Sequence, residues 1–304
     1  MTLLPLLQTA LELGLIGALT VLALFLSYSM LNVCDLSTDG CFTLGASVGA
    51  VVAIAGHPYL SIGAAMLAGV ISGFITAVLQ TKMGVDSLLA GIIMNTALYS
   101  VNIAIMGGSS LLNMNKTQTV FTKMQTLLGE GAPEIYRLII AALAVAMVAA
   151  FLYLFLKTRI GLAIRATGNN PEMVRSSSIN PAMTTIVGLC VSNAFTGLSG
   201  CLLAQSQKSV NIDIGSGMVT IALASLLIGG TFVRSRRMGF RIVGTVLGAF
   251  IFRLVYTIAL RFNMPAYMLK LVSSVIVIIA ISGPYLKSRS PELFRRLEKK
   301  KCLR

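Results

Sequence analysis

Four polar side chains interrupt apolar runs and could bind a small polar ligand: Asn95, Thr96, Asn193 and Thr196. Asn193 and Thr196 are three residues apart, which places them on one face of a helix. Polar groups within long apolar segments are costly unless they pair with one another or face a cavity. Their amides and hydroxyls suit ligand binding, and they suit hydrogen bonds between helices equally well. Both interpretations stay open for each residue.

Three charged residues lie in or beside apolar segments. Asp39 precedes the short apolar piece 42–55, and Asp213 precedes a second short piece, 218–230. Each carboxylate could cap a half-helix or contact a ligand. Arg253 is the most deeply placed cation, and we expect it either to pair with an acidic residue of a break or to extend outward along its helix.

No residue set predicts catalysis or a metal site. The single histidine, His57, lies in a Gly-His-Pro turn, and the five cysteines form no CxxC or Cys/His cluster. No Walker A pattern occurs, so any ATP that drives this chain is hydrolysed on another chain. We expect no catalytic residue, no metal ligand and no cofactor bound by this chain.

The elements that must position these side chains are membrane helices. The chain has 304 residues, of which 56% are hydrophobic and 11% charged, and its mean hydropathy is +0.87. Soluble domains carry about a quarter charged residues. The composition therefore predicts an all-α polytopic membrane protein, a single domain over residues 1–304 in contact with lipid. The net charge of +14 clusters between and after apolar runs, as in cytoplasmic loops, which argues against nucleic-acid binding.

The apolar runs predict about nine membrane segments, within a range of about eight to ten. The longer runs are residues 7–33, 59–80, 87–106, 135–156, 181–204, 240–260 and 267–282, and the two short ones are 42–55 and 218–230. Basic clusters at 157–180, 234–241 and 287–304 all fall on the cytoplasmic side if the N-terminus lies outside. The first break, residues 35–41, lies at that surface or dips into the membrane. A small amphipathic helix is expected within the polar interval 107–133.

Two parts of the chain share one plan, residues 35–106 and residues 211–282. Each begins with a polar break and continues through a short apolar piece, a turn, a span, a loop and a final span. Their predicted directions are opposite, as in the inverted repeats of transporters, where the binding path lies at the broken segments. Chance similarity between two helical hairpins is the alternative. The candidates for that path are Asp39, Asn95, Thr96, Asn193, Thr196 and Asp213.

A basic island, residues 157–180, joins the two parts. It contains two Asn-Pro steps, at 170–171 and 180–181, and Asn is a good N-cap while Pro is tolerated at the first helical position. Glu172 in the first turn favours the helix dipole. The pattern predicts a short helix over 171–177 and a long helix after it. Such a helix suits contact with a partner, although an ordinary capped loop would look the same.

Three segments have a more specific amino-acid sequence pattern. Residues 161–180 read GLAIRATGNNPEMVRSSSIN, residues 35–45 read DLSTDGCFTLG and residues 223–230 read LASLLIGG. They resemble the coupling loop and the two broken segments of permease subunits from ABC importers of the branched-chain amino acid, ribose and nucleoside class. The first two segments are most similar to tryptophan/tyrosine-type uptake permeases. Ser178 stands where this family usually has Gly, so we expect a less tight helix exit there.

The resemblance implies a partner for the island. The positions that match the family's coupling helix are Arg165, Ala166, Thr167, Gly168, Asn169, Asn170, Pro171, Glu172 and Arg175. They are expected to contact an ATP-binding subunit that carries ATP and magnesium. The resemblance further implies a second permease copy in a homodimer, an extracytoplasmic solute-binding lipoprotein, a bacterial cell membrane location and an amino acid or related solute, including aromatic ones. A secondary carrier or channel, which would work without an ATPase, is the alternative.

Overall fold

The apolar runs form helices in the predicted order. The computed structural model describes residues 3–128, 133–233 and 237–261, together with residues 271, 274, 275, 277, 278 and 282. The helices are α1 (Leu3–Leu24, continued by a π-helical turn, Phe25–Met30), α2 (Thr38–Ile54), α3 (Pro58–Thr81), α4 (Ser87–Ile105), α5 (Val120–Leu128), α6 (Pro133–Lys157), α7 (Arg159–Asn169), α8 (Pro171–Ser176), α9 (Pro181–Gln207), α10 (Met218–Phe232) and α11 (Met238–Arg261).

Six helices of the described part are long and apolar enough to cross a membrane: α1, α3, α4, α6, α9 and α11. The shorter apolar helices α2 and α10 are the two short pieces that the sequence predicts. Most of the predicted last span, 267–282, and the whole basic tail, 287–304, lie outside the described residues, as do residues 234–236 of the basic loop. An all-α polytopic membrane protein is confirmed, and the count of nine segments stays a prediction.

Helix α9 lies at the centre of the bundle, between α1, α2 and α3. Small residues allow this close approach, because a Cβ on Gly69 of α3 would lie 2.2 Å from the Asn193 carbonyl oxygen. On another side, the hydroxyls of Ser192 and Ser199 donate to the carbonyls of Ala23 and Ile16 at 2.7 Å each. The hydrogen bonds pair later residues of α9 with earlier residues of α1, so the two helices are antiparallel.

The first break returns into the bundle. The end of the π-helical turn lies beside the island, since a Cβ on Gly168 would meet the Met30 carbonyl oxygen. A few residues later the Asp35 carboxylate accepts a hydrogen bond from Asn193 at 2.8 Å. Asn193 lies about 18 Å along α9 from its start at Pro181, at 1.5 Å per residue. The break therefore dips to the depth of the middle of α9, which answers the alternative that the sequence left open.

The opposite end of α9 carries a small ribbon that the sequence did not predict. Strand β1 (Leu111–Asn113) pairs antiparallel with β2 (Ser209–Asn211). Gln205 joins the neighbouring helices there, because its Oε1 accepts from the Val120 N–H at 2.9 Å and its Nε2 donates to Ser61 Oγ at 2.7 Å. Val120 begins α5, the helix predicted within the interval 107–133.

Candidate functional site

The island folds into two helices, α7 and α8, of which the sequence predicted only α8. Helix α7 is capped by Thr158, whose Oγ1 accepts from the Gly161 N–H at 3.2 Å. Gly161, Ile164 and Thr167 are buried at a spacing of three residues. This spacing is typical of a helix and indicates α7. The glycines and arginines around these three residues obscure the pattern in the sequence.

Both ends of α8 are closed by local hydrogen bonds. Asn170 Oδ1 accepts from the N–H groups of Glu172 and Met173, each at 3.1 Å. At the other end the Ile179 N–H donates to the Val174 carbonyl and the Ser178 N–H donates to the Arg175 carbonyl, each at 3.2 Å. These bonds form a Schellman exit, which requires a left-handed residue.

Ser178 supplies that left-handed residue, with φ of +61°. The expectation that the tight exit is lost without a glycine is therefore wrong. Serine adopts the glycine conformation instead, at a conformational cost of about 1 kcal/mol. A following N-cap at Asn180, whose Oδ1 accepts from the Ala182 N–H at 2.9 Å, starts α9 only two residues later. The exit from α8 is thus joined directly to the central helix.

Helix α8 is anchored by one side chain and presents the others outward. Val174 is buried, whereas Met173 is 68% exposed. Glu172 and Arg175 form an ion pair of 3.6 Å with both side chains largely exposed. Exposed ion pairs contribute little to stability, so both charges stay available to a partner. Of the other matched positions, those that are exposed are Ala166, Asn169, Asn170 and Pro171.

Three of the matched positions are partly or fully buried, and two of them, Thr167 and Gly168, hold the island against the bundle. The Thr167 hydroxyl lies 2.8 Å from the Thr184 hydroxyl at the start of α9. Gly168 packs against the end of the π-helical turn. Arg165 is half-buried and close enough to Arg241 of α11 to interact with it electrostatically.

The N-termini of the two short helices meet at Asp39. Its two carboxylate oxygens accept from the N–H groups of Gly217 at 2.9 Å and Val219 at 2.8 Å, at the start of α10. Asp39 itself lies in the first turn of α2. The carboxylate therefore caps the other short helix as well as favouring the dipole of its own. Asp213 lies apart from this junction, exposed in the turn that precedes α10.

Asn193 and Thr196 are both buried but have different contacts. Asn193 Nδ2 donates to Asp35 Oδ2, and the Thr196 hydroxyl donates within its own helix to the Ser192 carbonyl at 3.3 Å. Asp35 also accepts from the Ser37 N–H at 2.9 Å. Sequence reasoning missed Asp35 as a functional position, although the Asp-x-Ser pattern before a helix is a capping signal.

Asn95 and Thr96 lie on α4, which packs against the first break and the first turn of α2. Asn95 is half-buried beside Gly40, and Thr96 is exposed, with its hydroxyl donating to the Ile92 carbonyl at 2.9 Å. The four polar candidates therefore do not converge on one pocket. Asn193 joins helices, which was one of the two interpretations left open.

Arg253 is partly exposed and forms no ion pair with a carboxylate of the described residues, and its extension outward along the helix stays a prediction. Its Nε atom is buried and has no hydrogen-bond partner among the described residues. Its guanidinium carbon lies 5.1 Å from the centre of the Tyr256 ring. Glu12 was missed altogether, and it is a buried carboxylate in α1 that accepts a hydrogen bond from the Ser206 hydroxyl.

A family model described as "branched-chain amino acid transport system / permease component" matches residues 6–281. The chain belongs to this family. It is 30% identical over 294 residues to the tyrosine transport system permease protein of Clostridioides difficile (strain R20291), with 95% of this chain and 96% of that protein covered. It is 26% identical over 251 residues to the ribose import permease protein RbsC of Escherichia coli (strain K12), with 81% and 75% covered.

A solved structure shares the fold. PsaBC from Streptococcus pneumoniae in complex with Fab superposes with a TM-score of 0.54 and 16% identity, covering 93% of this chain and 94% of that one. Family and relatives identify the chain as a permease subunit of an ABC importer, a multi-pass protein of the bacterial cell membrane. Membership of this family implies partnership with an ATPase and with a binding protein.

Proposed function

We propose that this permease moves an amino acid or a related small solute across the membrane and that α8 is its contact with the ATP-binding subunit. The observation that carries the proposal is the form of α8. It is closed at both ends by its own hydrogen bonds, anchored by Val174, and presents Glu172, Met173 and Arg175 to the exterior. ATP and magnesium would be bound by the partner subunit.

A continuous path of contacts supports transmission of movement from α8 to the short helices. Asn180 joins the exit of α8 to α9, and α9 runs as one helix to Asn193 and beyond. Asn193 holds Asp35 in the first break, which leads into α2. Asp39 in α2 then holds the start of α10. A shift of α8 toward the ATPase would therefore displace both short helices through α9.

The meeting of α2 and α10 also supports an inverted repeat over residues 35–106 and 211–282. Helix α2 runs from this junction toward the β-ribbon, and α10 runs from it toward the basic loop, so their directions are opposite. Transporters built from inverted repeats bind their solute near such a junction. We place the translocation path beside Asp39 and Asn193 rather than beside Thr96.

The proposals for the solute and for the remaining partners are based on the relatives. The relative from Clostridioides difficile is named for tyrosine transport, which favours an amino acid, including aromatic ones. A second permease copy would complete the membrane part, with an extracytoplasmic binding protein to deliver the solute. The alternative is an ATP-independent carrier or channel, which would move solute in vesicles that contain the permease alone.

Association with the ATP-binding subunit tests the role of α8. Met173→Ala removes the most exposed apolar side chain of the helix, and Met147→Ala removes a similarly exposed one, 63%, from the outer face of α6. We expect the first change to weaken capture of the cognate ATP-binding subunit by detergent-solubilised permease at least about tenfold, a size typical of an exposed anchor residue. The Met147 variant should behave as wild type.

The charged residues of the island provide a second comparison. Replacing Arg165 or Glu172 by Ala should weaken ATPase association or uncouple ATP hydrolysis from uptake while membrane insertion is retained. Capture and uptake that are unchanged in the Met173 and Glu172 variants would show that α8 is not the contact, and an unchanged Arg165 variant would exclude Arg165 of α7 from it.

A further inference from the structure

Arg253 lines a small, partly open cavity between α1, α10 and α11, to which α2 and α9 contribute one residue each. The cavity has a volume of about 50 Å³ and is lined mostly by apolar side chains, with Arg253 and Ser225 as its polar members. The Ser225 hydroxyl already donates to the Ile221 carbonyl at 2.8 Å. Arg253 is therefore the one cation that lines this cavity. Its side chain is partly exposed, whereas its Nε donor is buried and has no hydrogen-bond partner within the described part of the chain.

No carboxylate of the described residues is placed to neutralise this cation. Within those residues, the ion pair found within 4.0 Å joins Arg175 to Glu172 in the island. Glu12 accepts from Ser206, and Asp39 caps α10. The predicted last span, residues 267–282, contains no Asp or Glu.

A cation within a membrane helix is costly unless it pairs or reaches a polar surface, and such residues often mark ion or substrate sites. Arginine is suited to bind a carboxylate, because its planar fork matches the two oxygens. The Arg253 guanidinium also lies close to the Tyr256 ring, a cation–π contact that does not use its N–H donors.

We propose that Arg253 binds the carboxylate of the transported solute, so that the permease itself selects amino acids and other small carboxylates against sugars. This inference rests on the proposed function and adds the solute class. The cavity volume of about 50 Å³ is large enough for a carboxylate group, because one water molecule occupies about 30 Å³ in the liquid. In this conformation the cavity would hold the charged end of the solute only.

Two glycines of α1 give the cavity its shape. A Cβ on Gly14 would lie 3.4 Å from Arg253 Cβ, so α1 packs tightly against the stem of the arginine. A Cβ on Gly17 would meet no atom within 4 Å. The Cβ of a larger side chain at Gly17 therefore meets no neighbour. Such a side chain would reduce the space of the cavity while Arg253 keeps its charge, which separates the two effects.

Thermal unfolding of the purified permease in nanodiscs of phosphatidylcholine tests the proposal. The probes are L-phenylalanine, L-phenylalaninamide, which lacks the carboxylate, and ribose. We expect L-phenylalanine alone to raise the Tm, by about 2–4 °C at saturating concentration. Arg253→Gln and Gly17→Leu should both abolish this rise, and Arg253→Lys should retain part of it.

The Tm without a probe separates binding from a structural role. Removal of a charge that forms no ion pair within the described residues should leave the Tm of Arg253→Gln equal to that of wild type or higher. A lower Tm together with an unchanged response to L-phenylalanine would show that Arg253 is structural only, and would overturn the proposal. Protection of wild type by L-phenylalaninamide or ribose as strong as that by L-phenylalanine would overturn it as well.

A lipid phosphate is the other possible source of an anion. If phosphatidylglycerol nanodiscs raise the Tm through Arg253 and L-phenylalanine does not, the site binds lipid and the solute assignment is wrong. None of these measurements involves the ATP-binding subunit. Capture of that subunit by wild type but not by the Met173 variant would keep the proposed function intact even if Arg253 fails the test.

Discussion

Asn170 is the residue on which the form of α8 depends, because its side chain accepts from two of the N–H groups that a helix start leaves without partners. Asn170→Ala should destabilise this helix by about 1 kcal/mol. The expected result is faster hydrogen exchange of the amides of residues 171–176 and weaker capture of the ATP-binding subunit. Asn169→Ala, at an exposed neighbouring position whose side chain does not cap α8, should leave the hydrogen exchange of residues 171–176 unchanged.

Ser178 tests whether the left-handed exit carries strain. Ser178→Gly should stabilise the protein by about 1 kcal/mol, because glycine adopts a positive φ without steric cost. Ser177, with φ of −89°, gives the matched control, and Ser177→Gly should stabilise nothing. Thermal unfolding in detergent measures both. A Ser178→Gly variant that is less stable than wild type would show that the serine makes a contact that outweighs its conformation.

At the scale of elements, the hydrogen bond from Asn193 to Asp35 fastens the first break to α9. Asn193→Leu would leave a buried carboxylate with fewer donors, at a cost of about 1–3 kcal/mol. Thr196→Val, one turn away, removes only a bond within α9 and should cost less than about 1 kcal/mol. The difference in Tm between the two variants measures how much the hydrogen bond from Asn193 to Asp35 stabilises the protein.

The same pair of variants separates docking from transmission. Both should still capture the ATP-binding subunit, because α8 is untouched. Asn193→Leu should lower solute uptake more than ATP hydrolysis, since the break would no longer follow α9. Equal loss of uptake in the Asn193 and Thr196 variants would argue against transmission along this path.

The helices of the molecule follow from the lengths of its apolar runs, and the breaks follow from their polar residues. The start of α3 at Pro58 and the start of α8 at Pro171 are set by local backbone chemistry, so the sequence predicts them closely. Asp35, Glu12 and the β-ribbon were missed because their partners lie far along the chain. A carboxylate that accepts a hydrogen bond from a distant asparagine or serine looks like any loop or apolar-run residue in the sequence.

The candidate site also combines local features that the sequence predicts with long-range contacts that it does not predict. The island was visible because its caps are local, whereas the contact between Asp39 and the start of α10 joins residues 178 positions apart. The polar break before each of the two short apolar pieces predicted that both pieces border the binding path. No distance between the two pieces follows from the sequence. Counting along the chain placed Arg253 within a membrane helix, but its surroundings depend on packing against α1, which the sequence does not give.

At the scale of the whole molecule, the central claim is that solute uptake is driven by an ATP-binding partner through α8. Proteoliposomes containing the permease and its cognate ATP-binding subunit, with the binding protein outside and radiolabelled L-tyrosine as probe, test it directly. We predict accumulation with ATP enclosed, little without ATP, and a loss of at least about tenfold in the Met173→Ala variant but not in Met147→Ala. Equal uptake by the permease alone, without ATP or its subunit, would contradict the claim and identify a secondary carrier or channel.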